Sequence, residues 1–158
     1  MSTIKFTSKQ PTFQLNDELE SVVQAPFVEP DAILVNFQSK ILSIAFSMYV
    51  NTTKGKKKIQ NSSNTLVFDK NHLISTVMHN DIETEVTEAM ADGWNYNVSQ
   101  ITWGKPSYEK ALNFFVITAN GLEFKEGVGK QLAVDYILNN VRINGGQVLG
   151  DYFELDNN

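Results

Sequence analysis

The chain has 158 residues, with 13 Lys and Arg against 18 Asp and Glu, a formal net charge of −5 and no cysteine. This acidic balance argues against a protein that coats duplex DNA through its overall field and against a polybasic membrane anchor. The missing cysteines exclude disulfides, a thiolate nucleophile and Cys-containing zinc sites. A chain of this length buries about two-thirds of its unfolded surface, so we expect a single α+β domain over residues 1–158.

The first residues, MSTIKFTSKQPTF, lack the apolar core of a signal peptide, and polar residues interrupt the most apolar stretch, Ala32 to Val50. We therefore expect a cytoplasmic protein with no membrane span. Lys supplies twelve of the thirteen basic residues and Arg142 the other, a usage typical of AT-rich genes. This composition is consistent with a gene from a phage or mobile element.

The N-terminal segment predicts two short strands and a helix. Thr3 to Ser8 and Thr12 to Leu15 are rich in apolar and β-branched residues and flank Pro11, which is typical of edge strands. A short polar helix is expected from Asn16 to Gln24.

The segment from Asp31 to Val50 fits two structures. Apolar residues alternate with small polar ones from Leu42 to Val50, as in a half-buried strand. The polar residues also recur at steps of three and four, as along one face of a helix. A hairpin turn at Gln38–Lys40 would lack Gly, Asn and Asp. The sequence therefore leaves two alternatives for this segment, one helix or two strands.

A polar stretch and a patterned segment follow. Asn51 to Asn64 contains Gly55 and four lysines, so we expect a flexible lysine-rich loop or a hairpin tip. Leu66 to Phe68 predicts a strand. From Asn80 to Asp92 we predict a helix, because Asn80 can cap it, apolar residues share one face and Gly93 follows it.

The C-terminal half predicts a hairpin between less regular segments. Trp94 to Trp103 indicates a strand and Gly104 to Ser107 a turn. Asn120-Gly121 favours a type I′ turn between two apolar runs. Counting outward from that turn places one set of side chains in the core: Phe115, Ile117, Ala119, Leu122 and Phe124.

The last segment predicts a helix and a strand. Lys130 to Asn140 fits a helix with Val134, Ile137, Leu138 and Val141 on one face. A turn at Asn144–Gly146 leads into a strand from Gln147 to Leu155. The whole pattern predicts a largely antiparallel sheet with two or three helices.

No motif in the chain carries catalytic chemistry. Gly127 to Lys130 resembles the end of a phosphate-binding loop, but Phe124 and Gln131 replace the Gly and the Ser or Thr that such a loop needs. The cluster of His79, Asp81, Glu83 and Glu85 fits an acidic helix N-terminus better than a metal site. We therefore expect no enzyme activity, no cofactor and no metal.

A lysine-rich run with nearby aromatic residues raises the alternative of single-stranded nucleic-acid binding. The candidate residues are Lys54, Lys56, Lys57, Lys58, Tyr49, Trp94, Tyr96 and Trp103. If all four lysines contact phosphates, the log-log salt slope should be about −2.8.

The leading hypothesis is a non-catalytic binding or assembly protein. A hydrophobic pattern without a nucleophile favours a protein partner or self-association, with an edge strand at either terminus available for strand addition. The acidic and aromatic C-terminus, Gly150 to Asn158, fits a last strand or a peptide presented to a partner.

Overall fold

The fold is given by a computed structural model that describes residues 4–14, 22–59, 64–87, 96, 100–102, 104–126, 130–143 and 147–156. Antiparallel strands dominate, with three short helices among the described residues. The strands are β1 (Phe6–Ser8), β2 (Thr12–Gln14), β3 (Val22–Gln24), β4 (Phe27–Asn36), β5 (Ile41–Thr52), β6 (Gly55–Lys58), β7 (Asn64–Phe68), β8 (Thr76–His79), β9 (Ile82–Glu85), β10 (Ile101–Thr102), β11 (Phe115–Thr118), β12 (Gly121–Phe124), β13 (Arg142–Ile143), β14 (Gln147–Val148) and β15 (Phe153–Leu155). The helices are α1 (Tyr108–Leu112), α2 (Lys130–Asn140) and α3 (Leu149–Tyr152).

The largest sheet has the order β15-β1-β4-β5-β6, and β7 also pairs with β5. β5 is therefore paired on its outer side twice, by β7 near its start and by β6 near its end. The other strands form the three-stranded sheet β10-β8-β9 and three two-stranded pairs, β11-β12, β13-β14 and β2-β3. None of the helices within the described ranges has the length and apolar character that crossing a membrane requires.

The segment from Asp31 to Val50 forms two strands, which decides between the two structures that the sequence left open. The strand alternative is the one observed, and four alternating side chains of β5 are buried: Leu42, Ile44, Phe46 and Met48. The turn chemistry comes from Asn36, whose side-chain oxygen accepts hydrogen bonds from the backbone N–H groups of Gln38 (3.1 Å) and Ser39 (2.9 Å). An Asx turn thus replaces the Gly that the loop lacks.

The core joins this sheet to the helices. Its largest fully buried side chains include four phenylalanines, Phe6, Phe46, Phe68 and Phe153. The predicted helix from Lys130 to Asn140 is confirmed, and its apolar face is buried against this core. Leu132 packs against both the main core and a smaller cluster under the three-stranded sheet.

The helix predicted from Asn80 to Asp92 is wrong over the residues that the structure describes. Asn80 and Asp81 have φ angles of 51° and 63°, and they join β8 to β9 as a tight hairpin. Two consecutive positive φ angles are the requirement of a type I′ turn. Asn tolerates that conformation as well as it caps a helix, so the sequence signal is shared by both structures. Residues 88–95 lie outside the described ranges.

The hairpin predicted around Asn120-Gly121 is confirmed, with corrections to its turn and to two of its predicted core residues. Phe115 pairs with Phe124 and Ile117 with Leu122, and three of these four side chains are buried. Ile117 is 58 % exposed and Ala119 is also exposed, so the placement of both in the core is wrong. The turn residues are Ala119 and Asn120, one position earlier than predicted, and neither has the positive φ angle of the predicted type I′ turn. Gly121 carries the positive φ angle of 129°.

The strand predicted from Gln147 to Leu155 is interrupted by α3. Leu149 is fully buried, and Gly150 lies so close to the carbonyl of Leu138 in α2 that a side chain would crowd it. The close approach of α3 to α2 explains the break. The prediction that the C-terminal segment ends in a last strand is confirmed for β15, which pairs with β1.

α1 was not predicted. Ser107 caps it by accepting a hydrogen bond from the backbone N–H of Lys110 at 3.3 Å. The sequence signal was present, because Ser107 follows Pro106 and precedes Glu109 in the first turn.

Three other predictions fall partly or wholly outside the described residues. Of the helix expected from Asn16 to Gln24, the described part, Val22–Gln24, is strand β3, so that part is wrong. Of the strand expected from Trp94 to Trp103, Ile101–Thr102 is confirmed, whereas the described residues Tyr96 and Gln100 are not in a strand. The turn predicted at 144–146 lies wholly outside the described residues.

Candidate interaction surface

The lysine-rich segment forms one arm of a hairpin. β6 pairs with the end of β5, which places Lys58 opposite Tyr49 and Lys56 opposite Asn51. The expected loop is thus confined to Thr53 and Lys54 within residues 51–59. Because side chains alternate along a strand, Lys56 and Lys58 share one face and Lys57 has the other.

Two of the four lysines are bound to carboxylates of β4. The Nζ atom of Lys56 lies 2.9 Å from Oε1 of Glu29, and Nζ of Lys58 lies 2.8 Å from Oδ2 of Asp31. Asp31 also accepts hydrogen bonds from the hydroxyls of Tyr49 (2.9 Å) and Ser47 (3.1 Å). These contacts lower the pKa of Asp31, and Lys58 has the largest effect.

Tyr49 is part of this network and is 7 % exposed. Its ring stacks on Phe27 at 5.9 Å and lies 4.7 Å from Nζ of Lys56. Burial and the hydrogen bond to Asp31 raise the pKa of the Tyr49 phenol to about 12. A ring in these contacts does not offer the open face that base stacking requires.

These contacts change what nucleic-acid binding would look like. Lys54 and Lys57 remain without an ion pair among the described residues, whereas Lys56 and Lys58 would have to leave their carboxylates. Two phosphate contacts to a single strand correspond to a log-log salt slope of about −1.4, half the value expected for four. Single-stranded nucleic-acid binding stays a prediction.

The remaining aromatic candidates do not join the lysines in the described structure. Tyr96 packs against the cluster under the three-stranded sheet, and its hydroxyl lies 2.6 Å from Nδ1 of His79. Trp94 and Trp103 lie outside the described residues. In the described ranges, no group of three or more His, Asp or Glu side chains has a geometry that could hold a metal ion.

A cleft of about 520 Å³ lies beside the smaller cluster under the three-stranded sheet. Its lining combines apolar Val86, Phe114 and Leu132 with polar His72, Glu85 and Lys110. Tyr49 and Asp135, whose pKa values are displaced to about 12 and about 6, do not line this cleft. In acid–base sites, side chains with displaced pKa values typically converge on one cleft, and the described lining of this cleft does not show that arrangement.

The second half of β4 has an open edge. β1 pairs with β4 only at Phe27 and Val28, whereas β5 follows β4 along its other side as far as Asn36. Within the described structure, no strand pairs with the outer edge of the segment from Ala32 to Asn36. An unpaired row of backbone N–H and C=O groups is a template for strand addition.

The outer face beside this edge carries no charge. One row across the sheet is Leu34, Ser43 and Val67, and the next is Ala32, Ala45 and Thr65. Leu34 is 63 % exposed, and Phe37 in the adjoining turn is 76 % exposed. The solvated face of an antiparallel sheet is normally polar, so a neutral, partly apolar face next to an open edge indicates an interaction surface.

Other edges are protected or short. β6 carries three lysines, β9 carries Glu83 and Glu85, and β15 has three residues that include Glu154. Charge on an edge strand opposes unwanted pairing. β1 is paired on both sides, so the N-terminal strand expected to be an edge is not one. β7 is also uncharged, but its exposed apolar residue, Val67, is less exposed than Leu34, at 44 %.

Sequence reasoning missed this surface. Its residues were assigned to a helix or a hairpin, and the strand order that leaves one side of β4 open depends on contacts far apart in the chain. No family model matches the chain, and no curated protein or solved structure matches it either.

Proposed function

We propose that this chain is a non-catalytic assembly protein that associates with a second copy of itself through the open edge of β4. The observation that carries this proposal is the uncharged edge from Ala32 to Asn36, with which no strand of the described residues pairs on its outer side. When two such edges pair, each copy satisfies backbone groups of the other, and the two sheets become continuous.

The neutrality of the edge favours a second copy as the partner. A partner recognised by charge would need a complementary charged patch, and neither the edge nor the rows beside it supplies one. An antiparallel pair of identical strands is self-complementary under a two-fold rotation, so it needs no second kind of surface. The net charge of −5 opposes association only weakly, because salt screens charges beyond about 8 Å at physiological ionic strength.

Sedimentation velocity over a wide range of protein concentration tests the proposal. The short pairing buries little surface, so we expect a reversible dimer whose fraction rises with concentration. Added NaCl should change that fraction little, because the contact is uncharged.

The variant Leu34→Lys places a charge at the edge and should shift the equilibrium to the monomer. Val22→Lys is the matched control, because Val22 is 62 % exposed on β3, outside the main sheet, and should leave the dimer intact. A native protein that stays monomeric at every concentration would overturn the proposal, and so would equal effects of the two variants.

A further inference from the structure

The part of β4 that is free to pair has two sharp limits. At one end, Pro30 has no backbone N–H, and the register with β5 shifts between Pro30 and Ala32. At that shift the Asp31 carboxylate is held by Lys58, Tyr49 and Ser47. At the other end, the turn begins directly after Asn36. The free segment is therefore Ala32 to Asn36, and Leu34 is its midpoint.

From these limits we infer that two copies pair antiparallel about a two-fold axis at Leu34, so that Leu34 of one copy faces Leu34 of the other. This inference rests on the proposed function and adds the register and symmetry of the contact. Ile33 then lies opposite Val35 of the second copy, and Ala32 lies opposite Asn36. All residues of the free segment find a partner in this arrangement.

Shifted registers fail for physical reasons. A slip by one residue sets the outward Leu34 opposite Ile33, which faces the core side of the sheet, so the two sheets would not be continuous. A slip by two residues in one direction brings the shifted backbone at Asp31 opposite Val35. A slip by two in the other direction brings the turn residue Phe37 opposite Ile33. Each of these shifts loses backbone pairs that the central register keeps.

Side chains on both faces agree with the central register. Ile33 and Val35 are half-buried and pack against the main core, so pairing them across the axis extends that core between the two copies. On the outer face the two Leu34 side chains would cover each other. Directly opposed apolar residues on one face are the pairs that stabilise an antiparallel contact.

Single-cysteine cross-linking tests the register, and the natural chain has no cysteine to interfere. Residues directly opposite in an antiparallel pair have Cα atoms about 4.5–5.5 Å apart, which a disulfide can span. Under diamide oxidation, Leu34→Cys should give a disulfide-linked dimer as the major species on a non-reducing gel. In Ala32→Cys the two thiols would be separated by about 14 Å along the strands, so this variant should stay monomeric on the gel.

Three further samples distinguish the inferred register from other arrangements. A mixture of Ala32→Cys with Asn36→Cys should cross-link, because these residues face each other in the inferred register. Ala45→Cys lies one strand inward on the outer face, and it would cross-link only if faces stack. A mixture of Leu34→Cys with Val67→Cys would yield additional mixed dimers only if β4 of one copy pairs with β7 of the next.

Sedimentation of the same samples under reducing conditions separates the two claims. If dimers form but Leu34→Cys does not cross-link, or Ala45→Cys or the mixture with Val67→Cys does so instead, the register is wrong while self-association stands. If the reduced samples and the native protein are monomers at every concentration, both the register and the proposed function are overturned.

Discussion

Phe115 is the residue whose packing most directly tests the predicted core. It is buried in β11, with ring centroids 5.9 Å from Phe124 and 6.3 Å from Phe68. Phe115→Ala should lower the free energy of unfolding by about 3–5 kcal/mol, because it leaves a cavity among aromatic rings. Ile117→Ala, two residues along the same strand but mostly exposed, should change it by less than about 1 kcal/mol. Urea denaturation measures both values, and similar losses would contradict the burial of Phe115 and the exposure of Ile117.

Asp135 is a buried carboxylate on α2, and its only hydrogen-bonding side chain in the described structure is Gln131, at 3.3 Å and 3.4 Å. Burial raises its pKa to about 6, whereas the hydrogen bonds from Gln131 lower it. The folded state therefore holds this proton more tightly than the unfolded state does. Its contribution to stability is fully present below about pH 4 and is lost as the pH rises through about 6.

Asp135→Asn removes this titration. Relative to the native protein, the variant should gain about 2 kcal/mol of unfolding free energy between pH 4 and pH 7. The comparison with the native protein matters because Asp31 and Asp69 have lowered pKa values and act in the opposite direction. Urea midpoints at the two pH values supply the measurement, and a pH-independent difference would contradict the assignment.

Among the elements, the β8–β9 hairpin can be distinguished from the predicted helix by the sign of one change in the free energy of unfolding. Asp81 has a φ angle of 63°, a conformation in which Gly avoids the steric conflict of Cβ. Asp81→Gly should therefore raise the free energy of unfolding by about 1 kcal/mol. In the helix that the sequence indicated, the same change would lower it by a similar amount. Thermal unfolding of the variant gives the sign.

Local signals in the sequence predicted elements well where one structure satisfied them. The α2 helix and the hairpin of β11 and β12 follow from side-chain periodicity and turn residues. The signals failed where they were shared by two structures, as at Asn80, which suits a helix cap and a type I′ turn equally. The turn signal at Asn36 lies two residues before Gln38, where the candidate turn was expected to start.

The candidate surface was less predictable than the elements that form it. The sequence located the lysines, but the carboxylates that bind Lys56 and Lys58 lie 27 residues earlier in the chain. These ion pairs form because β4, β5 and β6 are neighbours in the sheet. The edge of β4 is open because its pairing with β1 ends at Val28. Strand order is a property of the whole fold, so a single segment does not encode it.

At the scale of the molecule, charged residues occupy several sheet edges, whereas the free part of β4 and the edge strand β7 are uncharged. Lysines occupy β6 and glutamates occupy β9, whereas the segment from Ala32 to Asn36 has no charged residue. Proteins normally protect an edge strand with charge against unwanted pairing, and this protein has a net charge of −5. An edge that is left uncharged is therefore consistent with association as its role. We therefore expect the β4 edge to join two copies of the chain.

Amide hydrogen exchange of the native protein, followed by mass spectrometry at low and high protein concentration, tests this claim most directly. The amides between Ala32 and Asn36 that point away from β5 should exchange more slowly as concentration rises, because strand pairing supplies acceptors for them. The amides of β9, a charged edge, should exchange at the same rate throughout. Equal exchange from Ala32 to Asn36 at both concentrations would contradict the account.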